Sequence, residues 1–235
     1  IKNPLTPIQL SAERVKRKFT PLVGDQAESL AELTGVIVRQ TNDLRRIVDE
    51  FSKFARMPEP KRQSIDLVEL VRDAVLLQQS GQPDVKITSD LPKAKLAADL
   101  DATMLNQALT NLIKNAGEAI ETRFEKTPED DRSGEIRVSL EYDPEHATLR
   151  IADNGIGLPK DRAKLFEPYV TTREKGTGLG LPIVRKIIEE HDGTLTLEDA
   201  RPFGPDAPPG AEAVIILPIT AANTQEPPQP AKITA

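Results

Sequence analysis

Apolar side chains in the first 57 residues recur at helical spacing. Leu5, Ile8, Ala12, Val15 and Phe19 step by three and four. After a break at Pro21 and Gly24 the series Leu30, Leu33, Ile37, Gln40, Leu44, Ile47, Phe51, Phe54 does the same. This second series is an a/d heptad seam with one polar position, Gln40. Two such helices joined by a short turn predict an antiparallel hairpin. Each helix of a hairpin offers one apolar stripe and nothing else to bury it against. Two copies forming a four-helix bundle are therefore expected, and packing of the hairpin on the rest of the chain is the alternative. Met57-Pro58-Glu59-Pro60 ends the second helix and stiffens the exit.

From Gln63 the period changes. Residues 64–80 read as a short strand and a helix, 84–89 as an alternating strand, and 101–123 as a long amphipathic helix. Strands over 135–142 and 147–152 predict a hairpin turning at Asp143-Pro144. A glycine-rich segment, a helix near 181–191 and strands near 194–198 and 212–217 follow. Helices and antiparallel strands in one unit predict an α+β class, a sheet with helices on one face. The expected organisation is a hairpin at 1–57, a linker at 58–62, a globular domain at 63–219 and a tail at 220–235. Residues 202–235 hold eight of the 20 prolines, so the loop 202–210 is expected to be mobile and the tail disordered.

Composition narrows the chemistry. The 235 residues contain no cysteine and two histidines, His146 and His191. Thiolate metal sites, cysteine nucleophiles and multi-histidine metal centres are thereby set aside. Net charge is −6 overall, but residues 1–57 carry ten Lys/Arg against seven Asp/Glu, whereas 58–219 carry 20 against 29. An acidic main body excludes nucleic acid as the expected partner, since phosphate neutralisation needs a basic surface. The apolar run Ala213–Leu217 is far too short to span a membrane.

Three segments carry candidate chemistry. Asp153-Asn154-Gly155-Ile156-Gly157 follows an alternating strand. Lys160 stands where a dinucleotide fingerprint needs its third glycine, so that reading fails. What remains is a carboxylate at a strand end, followed by Gly155 and Gly157, which let backbone approach a flat ligand. An acceptor-only carboxylate suits a base with an exocyclic amine, such as adenine; a plain Asp-Asn-Gly turn is the competing reading. In Gly176-Thr177-Gly178-Leu179-Gly180, alternate glycines precede a helix with Pro182 in its first turn. Exposed N–H groups and the helix N-terminus make an anion site, to which Arg173 and Lys175 add positive charge; a flexible loop is the alternative. On the long helix, Asn111 and Asn115 are four apart and share a face. Amide oxygens serve as Mg²⁺ ligands when phosphates supply most of the shell; otherwise they are surface asparagines.

Taken in order, Asn111-Leu-Ile-Lys-Asn115, Asp153-Asn-Gly-Ile-Gly157, Leu165-Phe166-Glu-Pro-Tyr169 and Gly176-Thr-Gly-Leu-Gly180 resemble the N, G1, F and G2 boxes of bacterial sensor histidine kinases. Their ATPase fold is shared with the DNA gyrase B subunit and the ninety-kilodalton heat-shock chaperones. Gly210–Pro218 resembles the closing strand of that domain. Ile1-Lys2-Asn3-Pro4-Leu5 resembles the tail of the phosphoacceptor box His-Glu-Ile-Lys-Asn-Pro-Leu, and Asn42–Pro58 is similar to the second helix of nitrogen-regulation kinases of the NtrY type. By that alignment the acceptor histidine and its acidic neighbour fall just before Ile1, and neither His146 nor His191 replaces it. Glu118 departs from the family, many of whose members carry a phosphate-facing lysine there.

The resemblance implies an α/β sandwich ATPase domain after a dimerisation and phosphotransfer hairpin, with ATP and Mg²⁺ as cofactors. Asp153 then accepts from the adenine amine, Asn115 ligates Mg²⁺, and Asn111 lies near the γ-phosphate. Gly155 and Gly157 approach the base, and Arg173, Lys175, Gly176, Thr177, Gly178, Leu179 and Gly180 form the lid loop over the phosphates. Asn3 stands where the family carries a Thr or Asn used to dephosphorylate the response regulator. The implied protein is the cytoplasmic part of a membrane-anchored sensor, a homodimer that passes phosphate to an NtrX-like response regulator. This chain, lacking the histidine, is expected to bind ATP without phosphorylating itself. An ATP-binding regulatory dimer without phosphotransfer is the alternative. A gyrase- or chaperone-type ATPase is disfavoured, because those proteins carry a glutamate base at the place of Asn111.

Overall fold

A computed structural model describes residues 2–219 except Arg56, 130–131, 171–176, 205–206 and 208. The tail 220–235 lies outside the described residues. The chain divides into two compact units, Ile1–Pro58 and Glu59–Ala235.

The first unit is a helical hairpin of α1 (Lys2–Phe19) and α2 (Ala27–Ala55). Between them lie two three-residue turns, Thr20–Leu22 and Gly24–Gln26, with Gly24 at φ +53°. Lys16, Arg17 and Lys18 occupy the last turn of α1 and Glu28 the first turn of α2, each placed favourably against its helix dipole. The face that α2 turns inward is not its heptad seam. Thr34 and Thr41 are buried opposite α1, whose Leu5 and Ala12 are buried too. Each threonine hydroxyl donates to a carbonyl one turn back, Leu30 O and Ile37 O, both at 2.7 Å. A hydroxyl satisfied in this way costs little to bury, and small residues let the two helices approach. Arg45 Nη2 also donates to Thr6 Oγ1 at 2.9 Å. The seam is left outside: Leu33, Ile37, Leu44 and Phe51 are 63%, 44%, 51% and 44% exposed.

The second unit begins with β1 (Gln63–Asp66), α3 (Leu67–Gly81), β2 (Val85–Asp90), β3 (Ala97–Leu100) and α4 (Ala102–Lys126). It continues with β4 (Gly134–Tyr142), β5 (His146–Asp153), α5 (Gly180–Glu189), β6 (Thr194–Asp199) and β7 (Ala211–Pro218). The main sheet has order β2-β4-β5-β7-β6, and β1 pairs with β3 in a small second sheet. The class is α+β, as the pattern predicts, but the sheet is mixed: β2 and β4 run parallel, joined by a crossover through α4. Every second residue of the central strands is buried, Ile136, Val138 and Leu140 on β4 and Ala147, Leu149 and Ile151 on β5. Against them pack the buried residues of α4, Leu105, Leu109, Leu112, Ile113, Ala116 and Ile120. The turn at Asp143 is closed by its carboxylate, which accepts from the N–H groups of Glu145 and His146 at 2.8 Å. Those bonds hold it below the usual carboxylate range.

Asp101 caps α4. Its Oδ1 accepts from the N–H groups of Thr103 and Met104 at 3.0 and 3.1 Å, and its Oδ2 from that of Lys61 at 2.8 Å. Partial burial pushes the carboxyl up, but the three N–H donors outweigh it and hold it below its ordinary value. Asp101→Ala should therefore cost about 1 kcal/mol of stability at neutral pH. A lowered folded value means that the ionised cap contributes above the unfolded value and loses that contribution as pH falls through the folded one. The gap between parent and variant in urea titrations should narrow below about pH 4; a gap independent of pH would contradict this account of the cap.

Candidate functional site

α4 is the spine of the site. Its capped N-terminus fixes the register in which Asn111 and Asn115 follow, one turn apart and both half-buried, beside the buried Leu112, Ile113 and Ala116. One turn further on, Ala119 receives the segment after β5. Ile156 N–H donates to Ala119 O at 3.3 Å, and a Cβ at Gly155 would stand 2.6 Å from the Ala119 carbonyl carbon. Only a glycine allows this approach. Asp153 is the last residue of β5 and is 5% exposed, with Oδ1 accepting from Gly155 N–H at 2.8 Å. Gly157 follows at φ +73°, against the carbonyl of Pro209.

The second glycine segment also reaches α4, one turn before Ala119. Gly180 opens α5, and a Cβ there would lie 3.8 Å from Asn115 Nδ2 and 4.0 Å from its Oδ1. Asn115 thus lies against the first residue of α5. Gly178, at φ +67°, packs on Tyr169, whose N–H donates to Gly178 O at 3.1 Å. A side chain at position 178 would meet both a left-handed backbone and the Tyr169 main chain. Leu179 is fully buried, and its N–H donates to Thr177 Oγ1 at 3.4 Å. Behind the loop, the Arg185 guanidinium stands 5.2 Å from the centre of the Phe166 ring. Arg173, Lys175 and Gly176 lie outside the described residues. Asn3 belongs to α1, in the other unit.

The three predicted segments are therefore brought to one helix: Asn111 and Asn115 on it, Gly155 beside Ala119 with Asp153 two residues before it, and Gly180 beside Asn115. Two further residues belong to the arrangement. Arg123, buried on α4, donates through Nη1 to Asn154 O and through Nη2 to Arg132 O at 2.7 Å. Asn154 accepts through Oδ1 from Glu135 N–H and donates through Nδ2 to Ser133 O, both at 2.8 Å. Arg123 continues the apolar series Leu109, Ile113, Ala116, Ile120 at spacing four, three, four, three. A charge on a buried stripe is the signal that could have found it. Glu118, on the same helix, pairs with Lys114 at 3.8 Å.

His191 has a structural role. It is fully buried, with Nδ1 donating to Ile187 O at 2.7 Å and Nε2 accepting from Asp101 N–H at 3.0 Å. Among the described residues no cluster of three or more His, Cys, Asp or Glu could hold a metal. A single amide such as that of Asn115 fits a hydrated Mg²⁺ carried mainly by phosphates. The buried carboxylate of Asp153, next to backbone without side chains, fits the amino edge of a flat base.

Residues 100–221 match the family described as histidine kinase-, DNA gyrase B-, and HSP90-like ATPase, more than half the chain. The chain belongs to that family. Its fold is an ATP-binding one. The chain is also 53% identical over 202 residues to the nitrogen regulation protein NtrY of Azorhizobium caulinodans, covering 85% of this chain and 26% of that protein. Among solved structures it resembles the mycobacterial sensor histidine kinase MprB, at 27% identity and TM-score 0.56, covering 68% of this chain and 98% of that one. The histidine kinase ThkA in complex with the response regulator TrrA shares the fold, at 24% identity and TM-score 0.63, over 93% of this chain and 58% of that one. Family membership agrees with the resemblance drawn from the four boxes. Among the described residues no helix is long and apolar enough to cross a membrane.

Proposed function

We propose that this chain is the kinase core of a two-component sensor. In this reading residues 1–57 form the dimerisation and phosphotransfer hairpin, and 63–219 form the catalytic domain that takes ATP with Mg²⁺. The observation that carries it is the convergence of the three segments on α4, with Asn115 against Gly180 and Gly155 against Ala119. ATP supplies the phosphoryl group, and Mg²⁺ screens the charge on its oxygens. Asp153 accepts from the adenine amine, Asn115 would hold Mg²⁺, Asn111 orients the terminal phosphate, and the 177–180 segment offers its N–H groups to the phosphates. Catalysis is mostly positioning and charge neutralisation, as is general for phosphoryl transfer.

The receiving group is a histidine of the phosphoacceptor box whose tail Ile1–Leu5 resembles, and the next acceptor is an aspartate of a response regulator. The likeness to NtrY favours a regulator of the NtrX type and a cytoplasmic location beside a membrane anchor. Asn3, in the first turn of α1, orients a water on the regulator's aspartyl-phosphate. The test is a chain extended upstream through that box and incubated with γ-labelled ATP and Mg²⁺. Acid-labile, alkali-stable label is expected, and Asn111→Ala should abolish it. A folded, ATP-binding extended chain that takes up no label would favour a regulatory dimer without phosphotransfer.

A further inference from the structure

The turn that presents Asp153 is held from behind by a buried cation. Arg123 is 4% exposed, and the desolvation of a guanidinium is costly unless its donors are taken up. Both terminal nitrogens give theirs to main chain: Nη1 to Asn154 O, and Nη2 to Arg132 O at 2.7 Å and Ser133 O at 3.5 Å. The carbonyl of Asn154 belongs to the peptide that joins it to Gly155, whose N–H donates to Asp153 Oδ1. The bond from Arg123 and the bond to the carboxylate thus grip the two ends of one peptide plane. Asn154 secures the other side, exchanging both main-chain and side-chain bonds with Glu135, at 3.2 Å from its N–H to Glu135 O and 2.8 Å from Glu135 N–H to its Oδ1. Rotation of the 154–155 peptide would swing the Gly155 N–H off the carboxylate and break the bond to Arg123 together.

We infer that Arg123 is a positioning residue for base recognition: by holding the 154–155 peptide it sets the orientation of the Asp153 carboxylate. The inference rests on the reading of Asp153 as the acceptor of the adenine amine. It makes a prediction that general destabilisation does not. Loss of Arg123 should weaken only those ligands that use the Asp153 contact. ATP and purine riboside triphosphate, which is ATP without the exocyclic amine, separate the two cases. A lysine at 123 keeps the charge and most of the length, but it lacks the fork that spans separated carbonyls.

The experiment measures dissociation constants of both nucleotides, with Mg²⁺, for the parent chain, Arg123→Lys, Arg123→Met and Asp153→Ala, together with each melting temperature. ATP affinity is expected to fall five- to tenfold in folded Arg123→Lys, with purine riboside triphosphate affinity changing less than twofold. Equal losses for both nucleotides, or no loss for either, would overturn the positioning role. In Asp153→Ala the preference for ATP should vanish. If it persists there, the adenine reading itself is wrong; if it vanishes there but is undiminished in Arg123→Lys, only the role of Arg123 falls. A measurement on the unaltered chain covers the case in which the variants do not fold. Amide exchange at Asn154 and Gly155 should slow with saturating ATP and not with purine riboside triphosphate. Equal slowing by both would contradict the proposal.

Discussion

Asp153→Ala should weaken ATP binding by about ten- to a hundredfold while the domain stays folded. A hydrogen bond to a charged group contributes roughly 1.5–3 kcal/mol, and each 1.4 kcal/mol is a factor of about ten. The cost falls on binding more than on folding. Asp153 ends β5, its backbone is paired with Ile136 on β4, and its carboxylate accepts from Gly155 N–H two residues on. Alanine keeps the strand and leaves the exocyclic amine of the base facing an apolar wall. Calorimetric titration compares the two proteins, and thermal melting checks that the variant is folded. Unchanged ATP affinity would mean that the base is read elsewhere.

The hairpin leads to the second large effect. Its inner face is closed by Thr34, Thr41, Leu5 and Ala12, so the seam Leu33, Ile37, Leu44 and Phe51 is left uncovered on one hairpin. Burial of a leucine-sized side chain is worth roughly 1.5–3 kcal/mol, and a two-fold interface counts each position twice. We expect the chain to sediment as a dimer at micromolar concentration and Ile37→Glu/Leu44→Glu to sediment as a monomer. The ATP affinity of that variant should remain that of the parent, because the substitutions lie in the hairpin unit. A parent chain that is already monomeric at that concentration would remove the seam as a dimer interface.

Legibility in the sequence followed the physics of each element. α4 is legible because twenty-odd residues repeat a helical period, and the β4–β5 hairpin because alternation brackets Asp143-Pro144. β3 was not readable: Ala97-Ala98-Asp99-Leu100 is four residues long, two of them alanine, and its existence depends on pairing with β1. The parallel pairing of β2 with β4 is a property of the crossover through α4, which no local pattern encodes. The heptad seam gave the correct helices but not the inner face of the hairpin, because threonine scores as polar although its hydroxyl is satisfied within the helix. In the site, the glycines, the two asparagines and the carboxylate of Asp153 are recognisable singly and in order. Their supports are harder to see: Arg123 shows only as a charge on the apolar stripe of α4, and the bracing role of Asn154 has no signal of its own. Arg123 and Asn154 act on main-chain carbonyls and N–H groups, which carry no side-chain signature in the partner.

Calorimetric titration of the unaltered chain decides whether the α4-centred site takes ATP with Mg²⁺. The unaltered chain, titrated calorimetrically with ATP in the presence and absence of Mg²⁺, should bind one nucleotide per chain, more tightly with the metal. Absence of saturable binding by the folded chain at millimolar ATP would contradict the account.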